Sequence, residues 1–279
     1  MNLVTIYDYP STRVNEQKLL LLWLDHVNEY AKNFVVHIIH GESGIPDEVL
    51  RKIDSSKNIS VKIIKGNKCP IKYDVPRIDN NFHVNFNAYN VLTYGKQLGE
   101  PIIYLDLDAI LVSDLKEWWD IVNEKKFMGT MHYPIGENLN GGIYSISDWN
   151  YIDFDKLIKK YFDNHAQYKK IRDRSKELDS YGKRIRNYTL HDSVFTEDGI
   201  LKSGDQSLFI NYYINSKGTP YYQKLDVGWN YFANYCDYEI ENGLIKVKRI
   251  QNRMGYNINK VKVLHFYATA KKKLYEKYF

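Results

Sequence analysis

Two acidic residues interrupt an apolar run in the first half of the chain. The run is IIYLDLDAILV, and its acids are Asp106 and Asp108. On a strand, residues two apart point to the same face, so we expect the two carboxylates side by side at the carboxyl end of a buried strand. Carboxylates held that close repel each other unless a cation or a proton lies between them. The spacing therefore predicts a site for a hard divalent cation, although a solvated turn would also explain a single D-x-D triplet.

The elements that must position these acids alternate between strand and helix patterns. Ser11 or Thr12 is expected to cap the first helix, and Gly99 is expected to end the third. The alternation predicts an α/β fold with a mostly parallel sheet covered by helices. In chain order the predicted elements are Leu3–Tyr7, STRVNEQKLLLLWLDHVNEYAK, NFVVHIIHG, IPDEVLRKIDSS, ISVKIIKG, FNAYNVLTYGKQLG and PIIYLDLDAILV.

The order of elements changes after Asp120. KFMGTMHYP and NGGIYSIS have strand patterns, and GDQSLFINYYINSKG has a helical one. The stretch from Trp149 to about Tyr188 is charged and predicted to be mostly helical. YQKLDVGWNYF and KVLHFYA are predicted to be extended. No repeat or low-complexity linker divides the chain, which favours a single domain over residues 1–279.

Composition gives more information about the compartment of the protein than about its ligand. The net charge of +5 suits an anionic ligand, an anionic membrane face or nucleic acid. Cys69 and Cys236 lie too far apart to form a disulfide framework or a metal cluster, which favours a reducing compartment. The start MNLVTIYDYPSTR lacks the pattern of a signal peptide. We therefore expect a cytoplasmic protein.

Five stretches, in order, resemble the glycosyltransferases of the A-type fold, and most closely the family 8 enzymes of the glycogenin-like and bacterial galactosyltransferase-like kind. The resemblance spans roughly residues 102 to 273. It departs from the family pattern at Ala268, where the family has glycine, and at Lys272 and Lys273, where the family has Pro-Trp. The five stretches are YLDLDAILVSDLKEWWD, NLNGGIYSIS, SGDQSLFINYY, KLDVGWNYF and VLHFYATAKK.

The resemblance implies an A-type fold, with a Rossmann-like, mostly parallel central sheet, flanking helices and a C-terminal elaboration. It also implies a metal site. Asp106, Asp108 and His265 would hold the ion, and imidazole with two carboxylates favours Mn²⁺ over Mg²⁺. The ion would bridge the diphosphate of a nucleotide sugar, with a UDP-sugar as the favoured donor. Lys271 would add a second positive charge at those phosphates. His265 on its own would be better explained as a buried core histidine, and its position in the HFxxxxK stretch is what favours a ligand.

The resemblance also implies roles in donor binding and transfer. Residues 1–120 would form a nucleotide-binding half, 121–270 an acceptor and donor-sugar half, and 271–279 a basic aromatic tail. The transfer would retain the anomeric configuration, without an agreed protein nucleophile. The implied donor contacts are Thr5, Tyr7 and Asp8 at the nucleoside, Asp106 at the donor, Asn140 and Gly142 at the sugar, and Asp205 and Gln206 at the anomeric carbon.

The acceptor stays open at the level of sequence. A cell-surface glycan or a lipid-linked sugar is the first alternative, by analogy with the family. A hydroxymethylated base of phage DNA is the second, because YKKIRDRSKELDSYGKRIRNY interleaves basic residues with tyrosines. A different class of function altogether is a non-catalytic sugar-nucleotide binder that kept the fold. The tail KVLHFYATAKKKLYEKYF fits either docking on an anionic surface, with its lysines on lipid or nucleic-acid phosphates, or a C-terminal helix packed on the core.

Overall fold

The computed structural model describes residues 1–67, 79–122, 127–131, 139–149, 195–196, 199–200, 222–251, 260–267 and 269–279. Its helices are α1 (Val14–Tyr30), α2 (Asp47–Ser55), α3 (Asp79–Leu98), α4 (Lys116–Val122) and α5 (Thr269–Tyr278). Its strands are β1 (Asn2–Tyr7), β2 (Val35–His40), β3 (Ser60–Lys65), β4 (Ile102–Leu105), β5 (Ala109–Leu111), β6 (Phe127–Met131), β7 (Leu139–Ile146), β8 (Phe195–Thr196), β9 (Gly199–Ile200), β10 (Tyr222–Lys224), β11 (Tyr231–Phe232), β12 (Cys236–Glu241), β13 (Leu244–Ile250) and β14 (Val263–His265).

Seven strands form the main sheet, in the order β10-β6-β7-β4-β1-β2-β3. The pairs β4–β1, β1–β2, β2–β3 and β10–β6 are parallel, whereas β7 runs antiparallel to both β4 and β6. Both halves of the chain contribute strands to this sheet. At its far edge, β3 pairs with β2 on one side only among the described residues. The predicted α/β fold with a mostly parallel sheet is confirmed.

The centre of the sheet is its most buried part. Every residue of β1 and of β4 is buried, as expected for parallel strands that are covered on both faces. Helix α1 packs its fully buried Leu19, Trp23 and Val27 into the same core. The ends of β1 and β4 are therefore fixed by the best-packed part of the described structure.

The predicted strand PIIYLDLDAILV is in fact two strands in two sheets. β4 ends at Leu105 in the main sheet, and β5 begins at Ala109 in a second sheet of order β11-β14-β5. Asp106 and Asp108 lie in the turn between them, where the Ala109 N–H donates to the carbonyl of Asp106 over 3.0 Å. The expectation of one strand face was wrong, because the chain changes sheets at this point to pair with β14.

Two local features were not predicted correctly from the sequence. α1 begins at Val14, and neither Ser11 nor Thr12 caps it, because Arg13 occupies the cap position without a side-chain hydrogen bond. The antiparallel hairpin β12–β13 was not singled out, although its turn is Asn-Gly, a strong hairpin signal. Asn242 and Gly243 there have φ of 51° and 80°.

The remaining predictions for the second half of the chain concern its helices and its C-terminal tail. The predicted helices in Trp149–Tyr188 and in GDQSLFINYYINSKG lie outside the described residues, apart from Trp149 itself. The tail forms α5, whose Ala270 and Leu274 are buried in the core. This packing agrees with the alternative of a C-terminal helix. Among the residues that the structure describes, no helix has both the length and the apolar character needed to cross a membrane.

A buried histidine joins α1 to the β11-β14-β5 sheet and to the β12–β13 hairpin. Nδ1 of His26 donates to the carbonyl of Leu111 over 2.5 Å, and its Nε2 accepts from the N–H of Ile245 over 2.9 Å. Only the neutral ring can donate with one nitrogen and accept with the other. Burial lowers the pKa of His26 to about 4, with the nearby charge of Lys246 acting in the same direction. The histidine therefore holds these elements together in its neutral form.

We expect His26 to make the protein sensitive to acid. Its pKa rises from about 4 in the folded chain to 6.5 in the unfolded chain, so the unfolded state binds the proton first. The free energy of unfolding should therefore fall by about 3 kcal/mol as the pH falls from about 6.5 to about 4. In His26→Gln, the free energy of unfolding should lack this part of its fall with pH. Urea unfolding of both proteins across that pH range measures the difference. Parallel curves for the two proteins would contradict the assignment.

Candidate active site

A small polar cleft lies at the carboxyl ends of β1 and β4. These strands are parallel neighbours in the main sheet, so the residues that follow them meet at one edge. The cleft has a volume of about 90 Å³. Its lining residues are Ile6, Asp8, Tyr9, Asp106, Leu107, Asp108 and Lys271. Three aspartates, a tyrosine and a lysine thus face one space at the place where α/β sheets usually bind ligands.

Asp106 is held by groups from two strands of the main sheet. Its backbone N–H donates to the carbonyl of Gly142 over 2.8 Å, and the hydroxyl of Tyr104 donates to its Oδ1 over 2.5 Å. The Gly142 N–H in turn donates to Oδ1 of Asn140 over 2.8 Å. A methyl group on Gly142 would lie 2.3 Å from Oδ2 of Asp106. Glycine is therefore needed at position 142 for the carboxylate to lie against the strand.

Asp108 faces the second sheet and α5. Nε2 of His265 lies 3.4 Å from its Oδ1, and Nζ of Lys271 lies 3.4 Å from its Oδ2. The carbonyl of Asp108 accepts from the N–H of Phe266 over 2.8 Å, which ties the turn to the segment after β14. One carboxylate therefore joins the turn, β14 and α5 through two nitrogen groups.

The side chain of His265 is anchored from behind. Its Nδ1 lies 2.8 Å from Oδ1 of Asn230, and both residues are buried. The ring of Phe232 meets the imidazole edge-on at 5.7 Å and stacks on Tyr267 at 6.0 Å. Tyr267 is 51% exposed, so it presents an aromatic ring to solvent close to His265.

The pKa values of the two carboxylates at the site are shifted in opposite directions. Burial, and then the charge of Asp108, raise the pKa of Asp106 to about 6. Burial also acts to raise the pKa of Asp108, but a hydrogen bond from His265, when its ring carries both protons, and the charge of Lys271 outweigh it and hold that pKa low. Burial raises the pKa of Tyr9 to about 12. A further positive charge beside Asp106 would relieve the remaining repulsion.

Most of the residues implied by the sequence do converge here. The structure brings together Asp8, Asp106, Asp108, Asn140, Gly142, His265 and Lys271. Thr5 and Tyr7 are buried in β1 and do not line the cleft, because they alternate along the strand with Ile6 and Asp8, which do. Asp205 and Gln206 lie outside the described residues. The roles of all these residues remain predictions.

Three contributors were not recognised from the sequence. Tyr9 lines the cleft, Tyr104 donates to Asp106, and Asn230 holds His265. Tyr104 could have been found, because it lies two residues before Asp106 at the end of a strand. Asn230 had a place in the WN stretch but no assigned role, because its partner is 35 residues away in the chain.

The donor atoms present suit a hard or borderline divalent cation. Two carboxylates and an imidazole are a donor set that Mn²⁺ accepts. Among the described residues, no three His, Cys, Asp or Glu side chains already stand as a metal cluster. Lys271 supplies the positive charge at Asp108, and Tyr104 holds one oxygen of Asp106. The residues fit a divalent ion by their chemistry, and Lys271 partly balances their charge.

The fold is similar to that of several solved glycosyltransferases. The galactosyltransferase LgtC, solved with donor and acceptor sugar analogs, matches with a TM-score of 0.56 and 13% identity over 96% of this chain and 88% of its own. Mouse xyloside xylosyltransferase 1 matches with a TM-score of 0.54 and 12% identity, over 95% and 97%. The bifunctional glycosyltransferase WbbM matches with a TM-score of 0.51 and 11% identity, over 96% of this chain and 46% of its own.

Sequence comparison adds no relative to this picture. No protein-family model matches the chain, and no curated protein matches it significantly by sequence. At identities this low, the structural likeness establishes a shared fold.

We expect opposite effects on stability from removing each carboxylate charge. Asp106 has a pKa of about 6 when folded and 3.8 when unfolded, so its ionisation disfavours folding above about pH 6 and not below pH 3.8. Asp106→Asn should therefore raise the free energy of unfolding by about 1–3 kcal/mol at about pH 8, with no gain near pH 4.

Asp108→Asn is the matched variant for this test. It should lower the free energy of unfolding by about 1–3 kcal/mol near neutral pH, because Lys271 would keep a largely buried charge without its partner. Chemical denaturation with a metal chelator present measures both variants. Equal effects of the same sign would show that the two carboxylates do not differ as described.

Proposed function

Because the chain has the fold of the A-type glycosyltransferases, we propose that it is a metal-dependent glycosyltransferase acting on a nucleotide sugar. The observation that carries this proposal is the pair Asp106 and Asp108, with His265 and Lys271, at the carboxyl ends of the central strands. This set combines metal-ligand chemistry with a fixed cation, which is what a diphosphate leaving group requires. A UDP-sugar is the proposed donor.

Different residues of the chain would contact different parts of the donor. Asp106, Asp108 and His265 would hold Mn²⁺ or Mg²⁺, which when bound would neutralise charge on the leaving diphosphate. Lys271 would place its ammonium at the same phosphates. Asp8 would contact the nucleoside, and its carboxylate lies so close to Gly41 that a methyl group there would be 1.7 Å from Oδ1. Thr5 and Tyr7 would then support the nucleoside side from within β1.

The donor sugar would lie beside the segment of β7 that carries Asn140 and Gly142. In the proposed transfer, the bond between the anomeric carbon and the phosphate oxygen breaks, and the acceptor oxygen forms the new bond. The acceptor's proton passes to the departing diphosphate. Retention of configuration, with support from Asp205 and Gln206, belongs to the same proposal and rests on the resemblance in sequence.

A sugar hydroxyl of a glycan or a lipid-linked sugar is the proposed acceptor. The exposed ring of Tyr267, stacked on Phe232 next to His265, offers a face on which a pyranose ring can pack. The exposed Lys272 and Lys273 of α5 would suit contact with an anionic membrane that carries such an acceptor. The segment that suggested DNA, residues 168–188, lies outside the described residues, and the DNA alternative gains no support from the structure.

Sugar release from a panel of UDP-sugars tests the function directly. We expect hydrolysis or transfer with Mn²⁺ for at least one donor, and loss of turnover in excess EDTA. Asp106→Asn and Asp108→Asn should each abolish turnover, because each removes a metal ligand without changing the size of the side chain. A protein that binds UDP-sugars with Mn²⁺ but never turns them over would instead be a non-catalytic binder. Turnover that persists in EDTA would contradict the metal-dependent mechanism.

Lys271 should contribute specifically to diphosphate binding. We expect Lys271→Ala to weaken UDP binding in the presence of Mn²⁺ by about 1.5–3 kcal/mol, the usual size of a hydrogen bond to a charged group. Lys273→Ala is the matched control, because Lys273 lies on the same helix and is exposed. Isothermal titration calorimetry measures both. Equal affinities of the two variants would reject the role of Lys271.

A further inference from the structure

A buried hydrogen bond determines which nitrogen of His265 carries a proton. Nδ1 lies 2.8 Å from Oδ1 of Asn230, and the two residues are 4% and 0% exposed. A carbonyl oxygen has no hydrogen to give, so Nδ1 must be the donor. When the ring is neutral and Nδ1 holds the hydrogen, the lone pair is on Nε2.

That lone pair faces a carboxylate. Nε2 of His265 is 3.4 Å from Oδ1 of Asp108. A lone pair and a carboxylate oxygen at this distance repel each other unless a cation lies between them or the ring takes a second proton. Neighbouring ligands on an octahedral ion with bonds of about 2.1 Å are themselves about 3 Å apart. The separation of these two atoms is therefore close to that of two ligands on one ion.

Asn230 is held firmly enough to dictate this arrangement. It ends a 3-10 turn, Val227–Asn230, whose start is capped by Asp226 through a 2.8 Å bond from the Gly228 N–H. A methyl group on Gly228 would lie 2.4 Å from the carbonyl oxygen of Lys260. The next residues, β11, pair in parallel with β14, which carries His265. The amide and the imidazole are thus fixed on neighbouring, well-packed segments.

We propose that Asn230 is a positioning residue that keeps the proton of His265 on Nδ1, so that Nε2 is presented as a ligand to a divalent cation beside Asp108. The cation's identity rests on the proposed function, whereas the proton's position does not. Carboxylate and carbonyl oxygens that accept from the other ring nitrogen of a metal-binding imidazole fix its tautomer and orientation in this way.

The proton's position can be observed without any metal. Two-bond ¹⁵N–¹H correlation spectra of the ¹⁵N-labelled protein, in EDTA at about pH 8, distinguish the neutral tautomers, since that pH is above the ordinary imidazole range. Two buried histidines serve as internal references. His26 donates through Nδ1 to Leu111, and His37 donates through Nε2 to Asn2 over 3.0 Å.

We expect the pattern of His265 to match that of His26. Asn230→Ala should shift it toward the pattern of His37, and Asn230→Asp should leave it unchanged, because a carboxylate oxygen still accepts from Nδ1. A wild-type His265 with the pattern of His37 would overturn the inference. So would an unchanged pattern in Asn230→Ala.

The ligand role is tested by Mn²⁺ alone. Electron paramagnetic resonance titration without nucleotide should show that Asn230→Ala weakens Mn²⁺ binding about 10- to 100-fold, while Asn230→Asp retains it. Equal melting temperatures exclude simple unfolding, and Asn230→Ser replaces the alanine variant if that variant does not fold. If the wild type binds no Mn²⁺, the proposed function and the ligand role fail together. If Asn230→Ala binds Mn²⁺ as well as the wild type does, this inference alone fails.

Discussion

Repulsion between the carboxylates of Asp106 and Asp108 is the constraint on which the rest of the site depends. A half-buried turn with two acids is unfavourable by itself, and several neighbouring groups reduce the repulsion. Tyr104 donates to one acid, while His265 and Lys271 approach the other. Each of these groups comes from a different element. The site thus joins the main sheet and α5 by electrostatic attraction as well as by packing, and a cation between Asp108 and His265 would join the second sheet to them.

The change of sheets between β4 and β5 gives this turn its geometry. Backbone hydrogen bonds fix both acids, one to Gly142 of β7 and one to Phe266 beyond β14. The acids therefore stand in a short turn between two rigid strands rather than on a long loop, which suits a site that must hold its ligands in fixed positions. The same arrangement explains why a glycine is required opposite Asp106.

The sequence was informative where chemistry and local pattern coincide. Alternating patterns gave the order of strands and helices through β4, and the acids within an apolar run marked the centre of the candidate site. The break in that strand was missed, because β5 leaves the main sheet to pair with β14, a partner more than 150 residues away in the chain. His265 and Lys271 were found only through a resemblance. Asn230 and Tyr9 were missed because their relevant neighbours are distant in sequence, where neither propensity nor spacing gives a signal.

The outer strand β3 has a consequence for the protein's behaviour at high concentration. A strand that is paired on one side only can recruit a strand from another molecule and so begin aggregation. In the described structure β3 has this position, and Ile63 is 41% exposed on it. Lys62 and Lys65 on the same strand are also exposed, and their charges oppose edge-to-edge association of two copies. The colloidal stability of this protein therefore depends in part on two lysines at the far edge of the sheet.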